Sequence, residues 1–332
     1  MFFSESYQAL RRGERRLAAR KAMFSVLTLA LVGLPLGFVL LRRFEAATTF
    51  HPERAPARGT WDAPAGAEDV WFVTADGVRL HGWFFRAAGT SRPAEAAGRS
   101  EAGGESESRN GPAGAGAAEG HGGAGRATIL YFHGNGGNIS YAAWLGADLG
   151  RRGADVLLFD YRGYGRSDGQ VEGERGLYAD AEAAYSYVVG EMRVDPRRLV
   201  LYGQSLGTAA AADVASRRPC GALVLESGLS SASDMAAAIL PWLPRTAHRL
   251  AKYRFDTVSK LPRVNCPVFV AHGDRDEIIP VEQGRKLYDA APEPKRLHVV
   301  AGAGHNDLVV VGGAVYLDAL EGFVAESVGG GR

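Results

Sequence analysis

Ser205 lies at the centre of GQSLG, a stretch that matches the GxSxG pattern of reactive serines. A strand-like run, RLVLY, precedes it, and a helix-forming run, GTAAAADVAS, follows it. A tight strand-to-helix turn at this position would expose the serine hydroxyl at the upper edge of a sheet. A serine can also simply cap a helix, but the combined pattern predicts that Ser205 is a nucleophile.

A serine hydroxyl reacts well only when a base accepts its proton and a carboxylate fixes the tautomer of that base. Among eight histidines, His305 in AGAGHND is the predicted base, because it lies between the last predicted strand and the final helix. The preceding strand ends in HGDRDEIIP, which offers Asp274, Asp276 and Glu277 as the acid. The residues alone leave the choice among these three carboxylates open.

Neither glycine-rich stretch is suited to binding phosphate. HGNGGNIS lacks the lysine of a P-loop, and the spacing of its glycines differs from the GxGxxG of dinucleotide-binding turns. No metal-ligand spacing and no cofactor fingerprint occurs in the sequence, so neither a metal nor a cofactor is expected. The net charge is +1 and the basic residues are scattered through the catalytic region, which argues against nucleic acid as a partner.

The elements that would position these residues follow an alternating pattern. From Ala127 onward, apolar strand-like runs such as ATILYFHG and ADVLLFDY alternate with helical runs such as GLYADAEAAYSYVVGEM. This order predicts a mostly parallel sheet with helices on both faces, and such sheets bind ligands at the carboxyl ends of their strands. The motifs above fall at those ends. Upstream, VWFVTADGVRLHGWFF predicts a hairpin that turns at Asp76 and Gly77.

The N-terminal segment predicts a membrane anchor. Residues 22–41 carry no charge and have the length of about 20 residues that an apolar helix needs to cross a bilayer. Six basic residues precede this segment and two follow it, which predicts a single pass with residues 1–21 as a basic cytoplasmic tail and the catalytic domain outside the cytoplasm. A cleaved signal peptide is the alternative. Residues 42–67 are expected to be a tether.

Two segments of unusual composition interrupt the predicted catalytic domain. Residues 87–126 are rich in Gly, Ala, Ser and Glu, so a disordered insertion is expected, with a domain boundary as the alternative. Residues 228–264 offer the only room for a short lid, which would combine the apolar MAAAILPWL with nearby basic residues. Cys220 and Cys266 each precede a predicted strand and are expected to be buried free thiols, with a disulfide as the alternative.

Six stretches in a fixed order carry a resemblance to a known family: TADGVRLHGWF, YFHGNGGN, DYRGYGRSDG, YGQSLG, AHGDRDEIIP and GAGHND. Through them, residues 68–328 resemble the α/β-hydrolase superfamily, and the preceding anchor makes the chain similar to the membrane-anchored, short-lid serine hydrolases called alpha/beta-hydrolase-domain proteins. The resemblance implies an α/β-hydrolase fold with a mostly parallel eight-stranded sheet. It implies Asp276 rather than Asp274 as the acid, and the backbone N–H groups of Asn135 and Leu206 as an oxyanion hole. DYRGYGRSDG is expected to hold a loop beside the nucleophile through backbone bonds.

Together these features predict a serine hydrolase that cleaves carboxylic esters or thioesters through an acyl-enzyme on Ser205. The apolar and basic lid favours lipid or acylated substrates, and a small packed cap with a solvated basic edge is the alternative. A serine peptidase or amidase with the same three side chains and a non-catalytic membrane scaffold are the other candidate functions. The expected partners are a small-molecule or lipid ester and, through the N-terminal helix, the membrane. The sequence does not fix the oligomeric state.

Overall fold

The computed structural model describes most of the chain beyond the N-terminal segment. Two compact units are present, Met1–Thr49 and Phe50–Arg332. The predicted tail and the predicted anchor lie outside the described residues except for isolated positions, as do most of the predicted insertion and part of the predicted lid. The described ranges of the second unit are 50–55, 61–89, 126–242 and 252–329.

An eight-stranded sheet forms the centre of the second unit. Its strands are β1 Ala67–Val73, β2 Arg79–Phe85, β3 Thr128–Phe132, β4 Asp155–Phe159, β5 Leu199–Gln204, β6 Ala222–Glu226, β7 Val268–Gly273 and β8 Lys295–Val300. Their spatial order is β8-β7-β6-β5-β3-β4-β2-β1. Strand β2 runs antiparallel to both of its neighbours and all other pairs are parallel, so the sheet is mixed but mostly parallel.

The central strands are buried on both faces, which explains their uninterrupted apolar sequences. Every residue of β3 (TILYF), β4 (DVLLF) and β6 (ALVLE) is buried. At the edge of the sheet, β1 and β2 form the predicted hairpin, in which Gly77 has a φ of 86° and supplies the left-handed turn residue. The Val78 N–H donates to Thr74 Oγ1 at 2.9 Å, so a side chain helps to close this turn.

Helices cover the sheet on both faces. In the described part of the chain these are α1 Ala143–Arg151, α2 Glu174–Ser186, α3 Gly207–Ala215, α4 Ala232–Ile239, α5 Val281–Ala290 and α6 Leu308–Gly329. Apolar side chains of α2, α3 and α5 belong to one buried cluster, and those of α1 and α6 belong to a second cluster across the sheet. Helix α4 lies in the predicted lid and has no buried residue.

Several short elements connect these helices and strands. There are 3-10 turns at Ile139–Ala142, Pro196–Arg198 and Leu261–Arg263, and the π-helical turn Tyr187–Glu191 continues α2. His51–Pro52 pairs in parallel with Gly136–Gly137. Residues 50–55, expected to belong to a tether, are therefore hydrogen-bonded to the folded domain.

Helix α6 is the one helix among the described residues that is long and apolar enough to cross a membrane, with 22 residues and a mean hydropathy of 1.7. Its later turns pack on the sheet through Tyr316, Leu320 and Phe323, which is the position of a core helix. Its first turn is separated from these by Gly313, whose φ of 52° and ψ of −141° break the helical geometry. The predicted N-terminal anchor remains a prediction, because residues 22–41 are described only at isolated positions.

The two cysteines lie next to each other at the amino ends of β6 and β7, at the edge of the sheet away from the motifs. They are free thiols whose sulfur atoms are 3.1 Å apart. A hydrogen bond with Cys220, together with burial, raises the pKa of the Cys266 thiol. Cys266 is therefore held protonated at neutral pH, and it is expected to react slowly with alkylating agents.

Candidate active site

Ser205 sits on a strained turn between β5 and α3. Its φ of 54° lies in the left-handed region, which costs a non-glycine residue on the order of 1 to 3 kcal/mol. The Ser205 N–H donates to the Glu226 carbonyl oxygen at 2.9 Å and so ties the turn to the end of β6. This geometry lifts the hydroxyl above the carboxyl edge of the sheet, where the GxSxG pattern predicts it.

The two glycines of GQSLG are required by close backbone contact. A Cβ atom on Gly203 would lie 2.5 Å from the Gly207 carbonyl oxygen, and one on Gly207 would lie 2.0 Å from the Phe132 carbonyl oxygen. Both distances are far below van der Waals contact. Helix α3 can therefore approach β3 and β5 only because these positions have no side chain.

His305 and Asp276 complete a relay with Ser205. His305 Nε2 lies 2.9 Å from Ser205 Oγ, and His305 Nδ1 lies 2.7 Å from Asp276 Oδ2. The carboxylate accepts a hydrogen bond from the Nδ1–H group, which leaves Nε2 free to accept the proton of the serine hydroxyl. The chain thus brings together residues that lie 100 and 29 positions apart in sequence.

Asp276 is the one carboxylate of HGDRDEIIP that contacts the histidine. Its Oδ1 accepts the N–H groups of Ile278 and Ile279 at 2.9 and 2.7 Å, and its Oδ2 also lies 3.1 Å from Nε2 of His272. Burial alone would raise the pKa of Asp276, but these hydrogen bonds hold it well below its usual range. The carboxylate is therefore ionised throughout the neutral range.

The other two carboxylates have different positions. Asp274 Oδ1 accepts the Gly302 N–H at 2.6 Å, which joins the loop after β7 to the loop after β8. Glu277 is exposed. Of the three carboxylates, Asp276 is the one that contacts His305, which favours it as the acid that the family resemblance implies.

The stretch HGNGGN forms a loop beside Ser205 in which successive peptide groups are fixed. His133 Nδ1 lies 2.8 Å from the Gly134 carbonyl oxygen, and the Asn135 N–H of that same peptide group points the opposite way. The Asn135 carbonyl oxygen in turn accepts hydrogen bonds from Tyr164 Oη at 2.8 Å and the His51 N–H at 2.9 Å. Leu206 is the N-cap of α3, so its N–H is among those that a helix start leaves without intrahelical partners.

DYRGYGRSDG supports this loop, as its sequence predicts, although tyrosine hydroxyls make much of the contact. Tyr161 Oη donates to the His133 carbonyl oxygen at 3.1 Å, next to the bond that Tyr164 makes with Asn135. Arg162 Nε lies 2.8 Å from Asp180 Oδ1 in a fully buried ion pair. A Cβ atom on Gly165 would overlap Asp160 Oδ2 at 1.9 Å, which explains that glycine.

Ser205 faces a cleft of about 740 Å³ with walls of mixed polarity. The motif stretches supply much of this wall, including Ile278 of AHGDRDEIIP. Sequence reasoning missed the members that lie outside those stretches, which include His51, Tyr141, Trp144, Glu226 and Val309. Trp144 and Ile278 are about half exposed (51% and 49%), so the mouth of the cleft is apolar. In the described residues no group of three or more His, Cys, Asp or Glu side chains is arranged to hold a metal ion.

Glu226 is a buried carboxyl at the floor of this cleft. Tyr202 and Tyr316 both donate hydroxyl hydrogen bonds to its Oε2 atom. Burial raises the pKa of Glu226, and the two tyrosine hydrogen bonds oppose that effect. The sequence does contain a signal for Glu226, because it is the one charged residue of the otherwise apolar strand ALVLE and a buried charge needs a partner.

The buried carboxyl of Asp160 is expected to make the stability of the fold depend on pH. Burial raises the pKa of Asp160 to about 8, although the Ile139 N–H donates to its Oδ1 at 2.9 Å. A carboxyl whose pKa is raised by folding binds more protons in the folded state. Its contribution to stability is therefore complete below its unfolded pKa of about 4 and is lost as the pH rises through about 8.

We expect Asp160→Asn to flatten the dependence of the melting temperature on pH between 5 and 8, because the amide stays neutral and its oxygen still accepts the Ile139 N–H. The wild-type melting temperature should fall by several degrees more than that of the variant over this range. Thermal unfolding in matched buffers measures the difference, with the exposed Asp289→Asn as the control. Parallel curves for wild type and Asp160→Asn would show that Asp160 does not titrate in this window.

The sequence is similar to a known hydrolase family and to several proteins. The Hydrolase_4 family model, described as serine aminopeptidase S33, matches residues 123–256. An uncharacterized protein of Mycobacterium tuberculosis is 36% identical over 279 residues, which cover 84% of this chain and 86% of that protein. Human alpha/beta hydrolase domain-containing protein 17C is 35% identical over 204 residues, covering 61% of this chain and 59% of the human protein.

Solved structures with the same fold include an esterase. The Pyrococcus furiosus esterase Pf2001 superposes with a TM-score of 0.56 over 85% of this chain and 97% of that chain, at 18% sequence identity. The alpha/beta hydrolase GrgF from a Penicillium species superposes with a TM-score of 0.55 over 79% of this chain and 99% of that chain, also at 18% identity. At such low identity these similarities establish the fold alone.

Proposed function

This chain belongs to the α/β-hydrolase superfamily, and on that premise we propose that it is a serine hydrolase that cleaves carboxylic esters or thioesters. The observation that carries the proposal is the hydrogen-bonded relay from Ser205 through His305 to Asp276. A hydroxyl within 2.9 Å of a histidine nitrogen, with a buried carboxylate behind the ring, is the arrangement that activates a serine.

The relay supports acyl transfer in two steps. His305 removes the proton of Ser205 as the oxygen attacks the acyl carbon, and the N–H groups of Asn135 and Leu206 stabilise the negative charge on the acyl oxygen. His305 then protonates the departing alcohol or thiol. Water, activated by the same histidine, attacks the acyl-enzyme and releases the acid.

The mouth of the cleft favours acyl chains or lipid-borne esters as substrates. Tyr141, Trp144 and Ile278 present exposed apolar surface beside Ser205, and Val310 at the start of α6 is 76% exposed. Exposed apolar groups around a reactive centre mark a surface that binds apolar ligands.

We expect p-nitrophenyl esters and their thioester analogues to be hydrolysed with kcat/KM rising from acetyl to octanoyl chains. Trp144→Ala should reduce the preference for octanoyl over acetyl by about tenfold, since burying a large side chain is worth about 1.5 to 3 kcal/mol. Trp242→Ala, which removes an exposed tryptophan outside the cleft, is the matched control. A preference for acetyl esters in the wild type would contradict the lipid hypothesis.

A serine aminopeptidase is the second candidate, because the matching family model bears that description and Glu226 places a carboxyl in the cleft. The carboxyl is already engaged by two tyrosine hydroxyls, which makes it a weaker site for a substrate ammonium group. Aminoacyl p-nitroanilides distinguish the two activities. Turnover of these amides faster than of the esters would favour the peptidase. A non-catalytic scaffold would hydrolyse neither.

A further inference from the structure

Residues 50–55, here called the strap, run alongside the HGNGGN loop. The His51 N–H donates to the Asn135 carbonyl oxygen at 2.9 Å, and the Glu53 N–H donates to the Gly137 carbonyl oxygen at 3.0 Å. Asn138 Nδ2 returns a bond to the Glu53 carbonyl oxygen at 3.2 Å. The strap therefore lies on this loop as a short additional strand.

The strap is itself held firmly on its other sides. The Phe50 ring packs edge-on against Tyr253, in the later part of the predicted lid, at a centroid distance of 5.6 Å. Arg54 Nη1 donates to the Ser167 carbonyl oxygen at 2.7 Å, and the Ala55 N–H donates to the Gly165 carbonyl oxygen at 2.9 Å. A segment fixed at both ends in this way can hold a loop in one conformation.

The hydrogen bonds to this loop lie on either side of the Asn135 N–H, the group that is proposed to bind the acyl oxygen. The Asn135 N–H belongs to a peptide group whose carbonyl oxygen is bonded to His133, and the next peptide group is held by Tyr164 and by the strap. Two adjacent planar groups with fixed carbonyl oxygens leave the Asn135 N–H little freedom to turn. Glycines at 134, 136 and 137 give the loop no stiffness of its own.

We propose that the strap is a positioning element of the reaction, which holds the Asn135 N–H toward the acyl oxygen through the His51 and Glu53 backbone bonds. This inference rests on the proposed serine hydrolase function. Of the strap residues, His51 is the one that lines the cleft. The strap therefore affects the charged intermediate indirectly, by fixing the conformation of the HGNGGN loop.

Proline substitution removes a backbone donor, and the full-length chain allows a matched comparison. His51→Pro and His51→Ala both lose the imidazole, but only His51→Pro loses the N–H that binds Asn135. Pro52 already restricts residue 51 to extended backbone, so proline is compatible there. Glu53→Pro against Glu53→Ala repeats the comparison at the Gly137 bond and serves if His51→Pro does not fold.

We expect each proline variant to lose at least tenfold in kcat relative to its alanine partner, with KM changed by less than about threefold. Loss of one oxyanion donor costs about 10² to 10³ in kcat, and displacing such a donor should cost part of that. Affinity for an alkyl boronic acid, which forms a charged tetrahedral adduct with the serine, should fall in parallel with kcat. If the strap had only a structural role, the proline variants would have a lower melting temperature, but kcat and the affinity for the boronic acid would not fall together.

Equal kcat for the proline and alanine variants, both folded, would overturn the proposal. So would a change confined to KM, because the strap would then shape only substrate binding. Ser205→Ala separates this outcome from failure of the proposed function. If Ser205→Ala keeps full activity, the serine mechanism itself is wrong, whereas an inactive Ser205→Ala with fully active proline variants removes the strap inference alone.

Discussion

Ser205→Ala is expected to lower kcat for p-nitrophenyl ester hydrolysis by about 10⁴ to 10⁶, because no other hydroxyl in the relay can form the acyl-enzyme. A φ of 54° strains alanine about as much as serine, so the substitution adds no backbone strain to the turn. The fold should survive, since alanine fits the space of serine. The melting temperature should therefore stay within a few degrees of the wild-type value.

Covalent labelling provides the independent measurement. A fluorophosphonate probe should modify wild-type protein at Ser205 and leave Ser205→Ala unmodified. Ser216→Ala is the control, because this serine stands at the end of the same helix, bonded to the Asp213 carbonyl oxygen and outside the cleft. Persistent labelling of folded Ser205→Ala at the wild-type rate would refute Ser205 as the nucleophile.

Asp276→Asn is expected to lower kcat by about 10³ to 10⁴ with little change in KM. Its carboxylate accepts a hydrogen bond from the Nδ1–H group of His305 at 2.7 Å, which keeps Nε2 available for the serine proton. An asparagine amide can instead donate to the ring and stabilise the wrong tautomer. Since Ile278 and Ile279 also donate to Oδ1, the amide oxygen is expected to stay on their side, with the NH₂ group toward His305.

Asp274→Asn is the matched control, since it lies two residues away and keeps an oxygen that can accept the Gly302 N–H. Its kcat should remain within about tenfold of the wild-type value. Steady-state kinetics across a pH series would compare the two variants. If the ranking of Asp276→Asn and Asp274→Asn were reversed, the role of the acid would move to Asp274.

The parts of the site that sequence could predict are those in which a side chain acts directly. Ser205 and His305 stand in short glycine-rich stretches at strand ends, and a hydroxyl or an imidazole there has few other uses. Asp276 was harder to predict from the sequence, because Asp274 and Glu277 occupy the same loop and are also carboxylates. The family resemblance, and then the contact with His305, singled it out.

The strap could not be predicted because the donors that join it to the HGNGGN loop, the His51 and Glu53 N–H groups, are backbone atoms. FHPER has the composition of a tether. The hydrogen bonds from the His51 and Glu53 N–H groups do not depend on the side chains, so no residue type in the sequence indicates them. The fold shows the same contrast. The hairpin at Gly77 was predictable from local chemistry, whereas the order of eight strands depends on contacts between residues far apart in the chain.

Gly313 divides the last helix into two parts with separate tasks. Before it, Val309 lines the cleft and its neighbour Val310 is exposed; after it, Tyr316 and Leu320 fill the core. A backbone conformation open almost solely to glycine acts here as a joint, so the first turn need not follow the direction of the packed turns. Changes at the exposed positions just before the joint can therefore alter the surface next to the cleft while the packed turns after it stay intact.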